Sequence, residues 1–166
     1  MLPPKLILSP IDFSDSSHEA LKTAADLAAS FKAELLLVHV VPALPKLPLS
    51  VSFFKEGEYE TALTTDAQEK LQEIVRKFEE SGLKARAEVG VANDVGMEIL
   101  RVAEHSGADL IVIATHGMTG WRKMAFGSVA EKVVRLAACP VLVLRAQAEG
   151  ESAESAKKAE SASAAR

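Results

Sequence analysis

The sequence predicts a three-layer α/β/α fold in which a five-stranded parallel sheet carries helices on both faces. Two observations lead to this prediction. Short apolar runs alternate with longer segments of helical periodicity, and the runs of strands one, two and four are almost entirely apolar, as interior parallel strands should be. At 166 residues, the chain has the length of one domain with its own core.

The first strand is the apolar run Lys5–Leu8. Ser16 and Glu19 then form a capping box, which predicts that the first helix begins there. The second strand is Leu35–Val41. The next segment, Pro42–Thr65, has three prolines and several apolar residues and is long for a connection. It fits either a lid or contact surface, or a loop packed on its own domain.

The second helix runs from Asp66 to Ser81, and Gly82 ends it. The third strand, Lys84–Val91, alternates between small apolar and charged residues, as a half-exposed edge strand does. Asn93 is a candidate cap for the third helix, and Gly107 ends that helix.

The fourth strand is Leu110–Ala114, the fourth helix is Ser128–Ala138, and the fifth strand is Pro140–Leu144. A five-stranded sheet has two edges, yet residues Val141–Leu144 of the fifth strand are all apolar. If this strand is an edge, it needs a cover. A second copy of the chain is one candidate, and the C-terminal tail is the other.

Composition narrows the classes of partner. A net charge of −4 gives no reason to expect nucleic acid, which is bound by neutralising phosphates. No apolar run approaches the ~20 residues that span a bilayer. The lone Cys139 and the absence of a signal-peptide pattern favour a cytoplasmic location. The tail, residues 146–166, has no side chain larger than alanine to bury and is predicted to be disordered.

The stretch from Ala114 to Ser128 contains three glycines and joins a strand end to a helix start. In parallel α/β sheets, ligands bind outside the carboxyl ends of strands. The amides of Gly127, Ser128 and Val129 would point from the helix start toward an anion. Alternatively, Ser128 and Glu131 form a second capping box, and the glycines only begin a helix.

This stretch resembles the nucleotide loop of the universal stress protein family, which reads Gly, two residues, Gly, nine residues, Gly, then Ser or Thr. Gly117 and Gly127 match the second and third glycines, and Ser128 matches the hydroxyl residue. Ala114 stands where the family has its first glycine.

The resemblance covers residues 5–145. Leu8–Ser14 is similar to the family's opening, Leu37–Val40 to its second strand, and Cys139–Leu144 to its ending. It implies one domain over residues 1–145, with the adenine nucleotide alpha hydrolase-like strand order 3-2-1-4-5. It also implies dimers formed through strand five, Val141–Leu144.

The family's nucleotide contacts carry over by position. The match to Asp12 contacts the nucleoside, at either the ribose or the adenine, and the backbone at Val40 bonds adenine. The matches to Gly117, Gly127, Ser128 and Val129 hold the phosphates of ATP, with Mg²⁺ or Mn²⁺ on the phosphate side. The remaining expected pocket residues are the following: Pro10, Ala114 and His116. The imidazole of His116 fits either a phosphate contact or a bond to backbone.

The resemblance implies a nucleotide-binding regulatory protein. Two alternatives remain, a slow ATPase and a dimeric interaction protein with an empty pocket. Near the loop, His116, Arg122 and Lys123 are the candidates for catalysis, and neither basic residue has a Walker-type position. No catalytic or metal-ligating residue is therefore assigned. His39, within an apolar strand, is interpreted as a core histidine whose polar atoms are satisfied.

Overall fold

Strands and helices alternate along the whole described part of the chain, as the sequence predicts. The computed structural model describes residues 3–43, 56–115 and 127–145. The elements are β1 Leu6–Pro10, α1 Asp15–Phe31, β2 Glu34–Pro42, α2 Glu56–Glu80, β3 Ala85–Ala92, α3 Val95–Ser106, β4 Leu110–Ala114, α4 Ser128–Leu136 and β5 Val141–Leu144.

All five of these strands are parallel, and their order is β3-β2-β1-β4-β5. The expected fold class and strand order are thus confirmed. The order reverses at β1, because β2 and β3 extend to one side of it and β4 and β5 to the other. Such a reversal opens a crevice at the carboxyl ends of the two central strands.

Each face of the sheet has its own apolar layer. Alternate residues of β1 point to opposite faces, so Leu8 joins the layer under α3 and α4, and Ile7 joins the layer under α1 and α2. Ile99 and Val133 complete the first layer, and Leu71 the second. Burying each such side chain contributes about 1.5–3 kcal/mol, so these two layers hold the helices in place.

The two edges of the sheet differ in chemistry. Beside β3, Arg86 pairs with Glu34, and the guanidinium of Arg101 bonds Glu98 and approaches Glu88. Charged side chains of this kind blunt an edge against pairing with another chain. The β5 edge is apolar instead, and Leu142 on it is 37% exposed.

The N-caps of α1 and α3 are not the residues that the sequence predicted. Ser14, which has extended backbone angles, caps α1 by accepting from the Ser17 amide, so Ser16 lies inside the first turn. Asp94 caps α3 by accepting from the Met97 amide, in place of Asn93. In each case a neighbouring oxygen-bearing residue has the extended conformation that a cap requires.

Helix α2 begins at Glu56, ten residues before the predicted start at Asp66. Threonines lower helix propensity, but here Thr64 and Thr65 donate to carbonyls four residues earlier and remain in the helix. The predicted connection Pro42–Thr65 is therefore helical in its last part. Residues 44–55 and the tail 146–166 lie outside the described residues, so the lid and the disorder stay predictions.

Within the described ranges, no helix combines the length and the apolar character needed to cross a membrane.

Asp109 joins the start of β4 to the start of β1. Its Oδ2 accepts from the backbone amides of Lys5 and Leu6, at 2.8 and 3.0 Å. These two hydrogen bonds, that of Lys5 first, hold the pKa of Asp109 below its ordinary value of 3.8. The carboxylate therefore stabilises the folded state above that ordinary pKa, and its contribution is lost as the pH falls through the lowered value.

Replacing this carboxylate gives a pH-dependent loss of stability. We expect Asp109→Ala to lower the free energy of unfolding by about 1 kcal/mol at neutral pH, because two partly exposed amides lose their acceptor. The difference from the unmodified chain should shrink as the pH falls below about 4. Urea unfolding over this pH range measures it, with Asp26→Ala on α1 as control. An equal effect at all pH values would contradict this assignment.

Candidate functional site

One cavity of about 430 Å³ opens at the carboxyl ends of β1, β2 and β4 and reaches the first turns of α3 and α4. Seven of the nine predicted site residues line this cavity. They are Pro10, Asp12, Val40, Ala114, Gly127, Ser128 and Val129. The other two, His116 and Gly117, lie outside the described residues. The structure thus brings residues from four separate segments to one place.

The inner part of the cavity is an apolar slot. Val38 and Val40 of β2 form one side, Ile113 of β4 lies across from them, and Val95 and Ile99 of α3 contribute the wall. Except for Val95, these side chains are nearly inaccessible to solvent. A flat, weakly polar ring fits such a surface better than a charged group does, because burying an unpaired charge is costly.

The slot exists because β1 separates from β4 before it separates from β2. The β1–β2 ladder continues to the pair Pro10–Val38, whereas the β1–β4 ladder stops at the pair Leu8–Ile111. Proline has no N–H and cannot donate to a neighbouring strand. Pro10 therefore suits a position that lies beyond the end of the β1–β4 ladder.

The register of β2 fixes the direction of the Val40 backbone groups. Glu34 and Val38 bond toward β1, through the Glu34 amide and the Val38 carbonyl, while Leu35 bonds toward β3. Since direction alternates along a strand, the N–H and C=O of Val40 also point toward the β1 side. There β1 has ended at Pro10, so this donor and acceptor face the cavity.

Asp12 lies in the turn between β1 and α1. The preceding residue, Ile11, donates its amide to the Val38 carbonyl at 2.9 Å and so extends the link to β2. Oδ1 of Asp12 accepts from the amide of Ser14 at 3.1 Å and also from its hydroxyl. The carboxylate is therefore held at the mouth of the cavity by its own turn.

A backbone hydrogen bond joins the two chain segments that flank residues 116–126. The Gly127 amide donates to the Thr115 carbonyl at 2.7 Å, and the Thr115 amide donates to the Leu144 carbonyl at 2.8 Å. A Cβ on Gly127 would lie only 2.9 Å from the Thr115 oxygen. This approach of two backbone segments is what requires glycine at position 127.

The start of α4 presents backbone amides that lack an intrahelical partner to the same cavity. Gly127 is the N-cap and makes no side-chain capping bond, and the intrahelical ladder begins with the Glu131 amide donating to the Gly127 carbonyl. The amides of Ser128 and Val129 thus have no partner within the helix. The alternative capping box led by Ser128 is wrong, because Ser128 is the first helical residue and its exposed side chain follows the cap.

A charged contact holds α3 against α4 beside the cavity. Lys132 donates to the Asp94 carboxylate, and its side chain packs over Gly96, where an added Cβ would lie 2.9 Å from the Lys132 Cδ. The Lys132 hydrogen bond, followed by that of the Met97 amide, lowers the pKa of Asp94. The bridge keeps Val95 near the first turn of α4.

His39 lines the cavity as well, which the sequence did not predict. It is half-buried, and its Nδ1 lies 2.7 Å from the Ile11 carbonyl oxygen. A carbonyl can only accept, so Nδ1 carries the proton. The structure bears out a bonded Nδ1, but the expected core position of His39 is wrong, because the ring is half-buried and lines the cavity.

The α3 residues Val95 and Ile99 were also missed as cavity residues. Helical periodicity identifies their inward face, but it does not tell which end of the sheet they cover. Among the described residues, no group of three or more His, Cys, Asp or Glu side chains is arranged to hold a metal ion.

Comparison with known proteins identifies the family. A sequence model of the universal stress protein family matches residues 4–145. The chain belongs to the universal stress protein family. It is 40% identical over 146 residues to universal stress protein MJ0531 of Methanocaldococcus jannaschii, with 85% of this chain and 82% of that protein covered.

Solved structures of universal stress proteins share the fold. This chain superposes on MJ0577 of M. jannaschii with a TM-score of 0.75 at 32% identity, covering 87% of this chain and 97% of that one. UspA of Lactobacillus plantarum gives a TM-score of 0.74 at 25% identity, covering 85% and 97%. The chain therefore covers nearly the whole length of these two solved structures.

Adding a methyl group at position 127 should disturb the joint between β4 and α4. We expect Gly127→Ala to lower the free energy of unfolding by about 1–3 kcal/mol, because the Thr115 oxygen must move to admit the new Cβ. Thermal unfolding measures this loss. Ser128→Ala, which adds no volume at the neighbouring position, is the control. Equal stability of both variants would contradict the close approach of Gly127 to the Thr115 oxygen.

Proposed function

We propose that this universal stress protein binds ATP in the cavity, with Mg²⁺ or Mn²⁺ on the phosphates, and acts as a nucleotide-dependent regulatory protein. One observation carries the proposal. The cavity combines an apolar slot, an outward-facing backbone donor and acceptor at Val40, and the amides of Ser128 and Val129, which have no partner within their helix. These are the chemical requirements of a base, its hydrogen-bonding edge and a phosphate chain.

Adenine fits the slot better than guanine does. Adenine offers an N6 amino donor beside the N1 acceptor, which complements the C=O and N–H of a single backbone residue such as Val40. Guanine offers the opposite order, an O6 acceptor beside an N1–H donor, and would set like groups against each other. The base would lie at the apolar end of the cavity, against Val40 and Val95, with Val38, Ile99 and Ile113 packed behind them.

The phosphates belong at the other end of the cavity. The first amides of α4 and the positive end of its dipole favour an anion there. The Ser128 hydroxyl is exposed at the same point. His116 and Gly117 are proposed as further contacts on the intervening segment. Asp12, a carboxylate that lines the cavity, is proposed to contact the nucleoside, at the ribose or the adenine. A divalent cation would offset the charge on the phosphates.

Binding rather than turnover is the proposed role. Phosphoryl transfer needs positive charge on the transferred group and a residue that orients the nucleophile. Among the described cavity-lining residues there is no Lys or Arg. A bound nucleotide would then act by changing the surface that the protein offers to a partner. We also propose a cytoplasmic location, where Cys139 stays a thiol; partial burial raises the pKa of this group and makes it less reactive.

We further propose that the β5 edge pairs with a second copy of the chain. Leu142 on β5 is exposed, and α4 beside it exposes Val134 at 45% and Leu136 at 50%. Identical strands can pair antiparallel about a twofold axis, and such an isologous contact would cover all three side chains in both copies. Among the described residues, the β3 edge carries the charged pairs Arg86–Glu34 and Arg101–Glu88, and Val91 is its exposed apolar residue.

Calorimetric titration with Mg-ATP tests the nucleotide site. We expect micromolar binding to the unmodified protein, and a loss of at least tenfold in Gly127→Val, because the larger side chain displaces the Thr115 carbonyl and the α4 amides. Ala29→Val, on an exposed turn at the far end of α1, is the matched control. Mg-GTP should bind more weakly than Mg-ATP.

Two outcomes would count against the nucleotide site. Unchanged affinity of the Gly127→Val variant for Mg-ATP would mean that the nucleotide binds elsewhere on the protein. Nucleotide copurified with the unmodified protein is excluded first. If the protein then binds no ATP, the alternative function, a dimeric interaction protein with an empty pocket, is favoured.

A charge on β5 should separate the dimer without unfolding the monomer. We expect Leu142→Lys to shift the mass measured by sedimentation from dimer to monomer, because it places a cation on each copy at the twofold contact. Val91→Lys on the β3 edge is a matched control, since Val91 and Leu142 are both 37% exposed. A monomeric unmodified protein, or dissociation by both variants, would rule out the β5 contact.

A further inference from the structure

Phe13, which follows Asp12 in the β1–α1 turn, has a left-handed backbone conformation. Its φ is 64°, and within the described residues Lys32 is the other non-glycine residue with positive φ. Lys32 is the C-cap of α1, a position where left-handed conformations are common. At Phe13 no helix ends, and a bulky residue in this region is strained. Other contacts must therefore hold the turn in this state.

The Phe13 side chain is held between two neighbouring elements. Its ring lies against the His39 ring of β2, with 4.6 Å between centroids and 38° between planes. On α2, the Lys70 Nζ lies 5.6 Å from the Phe13 ring centroid, within the range of a cation–π contact. His39 also donates to the carbonyl of Ile11, the residue just before Asp12. The Phe13 ring is therefore linked to Ile11 through His39.

These contacts fix both backbone neighbours of Asp12. Before it, Ile11 is bonded through its N–H to Val38 and through its C=O to His39. After it, the φ of Phe13 directs the chain so that the Ser14 amide and hydroxyl reach Asp12 Oδ1. A change at Phe13 would move the Ser14 donors and turn the carboxylate.

We propose that Phe13 is the positioning residue for Asp12 in the nucleotide site. The ring, packed on His39 and under Lys70, keeps the backbone left-handed and thereby directs the Asp12 carboxylate into the cavity. This role rests on the proposed nucleotide binding. The positioning role goes beyond nucleotide binding, because it assigns a function to the side chains of Phe13, His39 and Lys70. Of these three, His39 lines the cavity.

Phenylalanine does something at this position that glycine would not. Glycine reaches the same φ without strain, but it reaches many other conformations equally well. A glycine turn would present the Asp12 carboxylate in several directions, and a ligand would have to select one of them. The packed ring restricts the turn before the ligand arrives, and such preorganisation increases affinity.

A double-mutant cycle tests whether Phe13 acts through Asp12. The four proteins are the unmodified chain, Phe13→Gly, Asp12→Asn and the double variant, each titrated with Mg-ATP. We expect each single change to weaken binding about tenfold, the order of one hydrogen bond to a charged group. The double variant should bind no more weakly than Asp12→Asn alone, because a misdirected carboxylate and an absent one lose the same contact.

Lys32→Gly is the matched control for removing a residue of positive φ. This substitution removes the strain of a left-handed backbone at a residue far from the cavity. ATP affinity should therefore be unchanged, while the free energy of unfolding stays equal or rises. Circular dichroism establishes folding of every variant. If Phe13→Gly does not fold, Phe13→Asn replaces it, because asparagine also tolerates this φ.

Three results would overturn the proposal: full affinity in Phe13→Gly, no loss in Asp12→Asn, or losses that simply add in the double variant. A measurement without ligand distinguishes this failure from that of the nucleotide site. Hydrogen exchange of the Ser14 amide should be faster in Phe13→Gly and unchanged in Lys32→Gly. If the unmodified chain binds no ATP, faster exchange still supports the positioning of Asp12, and unchanged exchange overturns it.

Discussion

The β1–β4 ladder ends two residues before the β1–β2 ladder, and the candidate site is built in the resulting gap. Strand order alone would give a crevice at this reversal, but the separation of β1 from β4 after Leu8 gives it depth. Val40 then faces open space in place of a strand, and the turn with Asp12 can fold over the carboxyl end of β1. The start of α4 completes the boundary through its contact with Thr115.

Much of the fold could be predicted because local signals and tertiary environment agree. The β4 run Leu110–Ala114 is apolar and bounded as expected, with its three central residues buried, and Gly82 and Gly107 have the positive φ of residues that follow a helix. The helix starts were predicted less well. A capping box around Ser16 was plausible in sequence, but Ser14 has the extended conformation, and only the path of the chain after β1 decides between them.

The residues of the candidate site, like the elements of the fold, could be predicted only in part. Residues within one motif, such as Gly127 and Ser128, could be found from spacing and family resemblance. The wall formed by Val95 and Ile99 could not, because periodicity gives a face and not its partner. The direction of the Val40 backbone depends on register, which a single sequence does not contain. Phe13 offered no local signal for positive φ, since its conformation comes from contacts with β2 and α2.

The hydrogen bond between Gly127 and Thr115 has a consequence for how such a protein can change over evolutionary time. It brings the two ends of residues 116–126 together at the sheet, so the spacing of β4 and α4 does not depend on what lies between them. The entropy of closing a loop rises slowly with length, by about 0.6 kcal/mol for each doubling. Insertions and deletions between Thr115 and Gly127 can therefore be accepted while the sheet and its core are inherited unchanged.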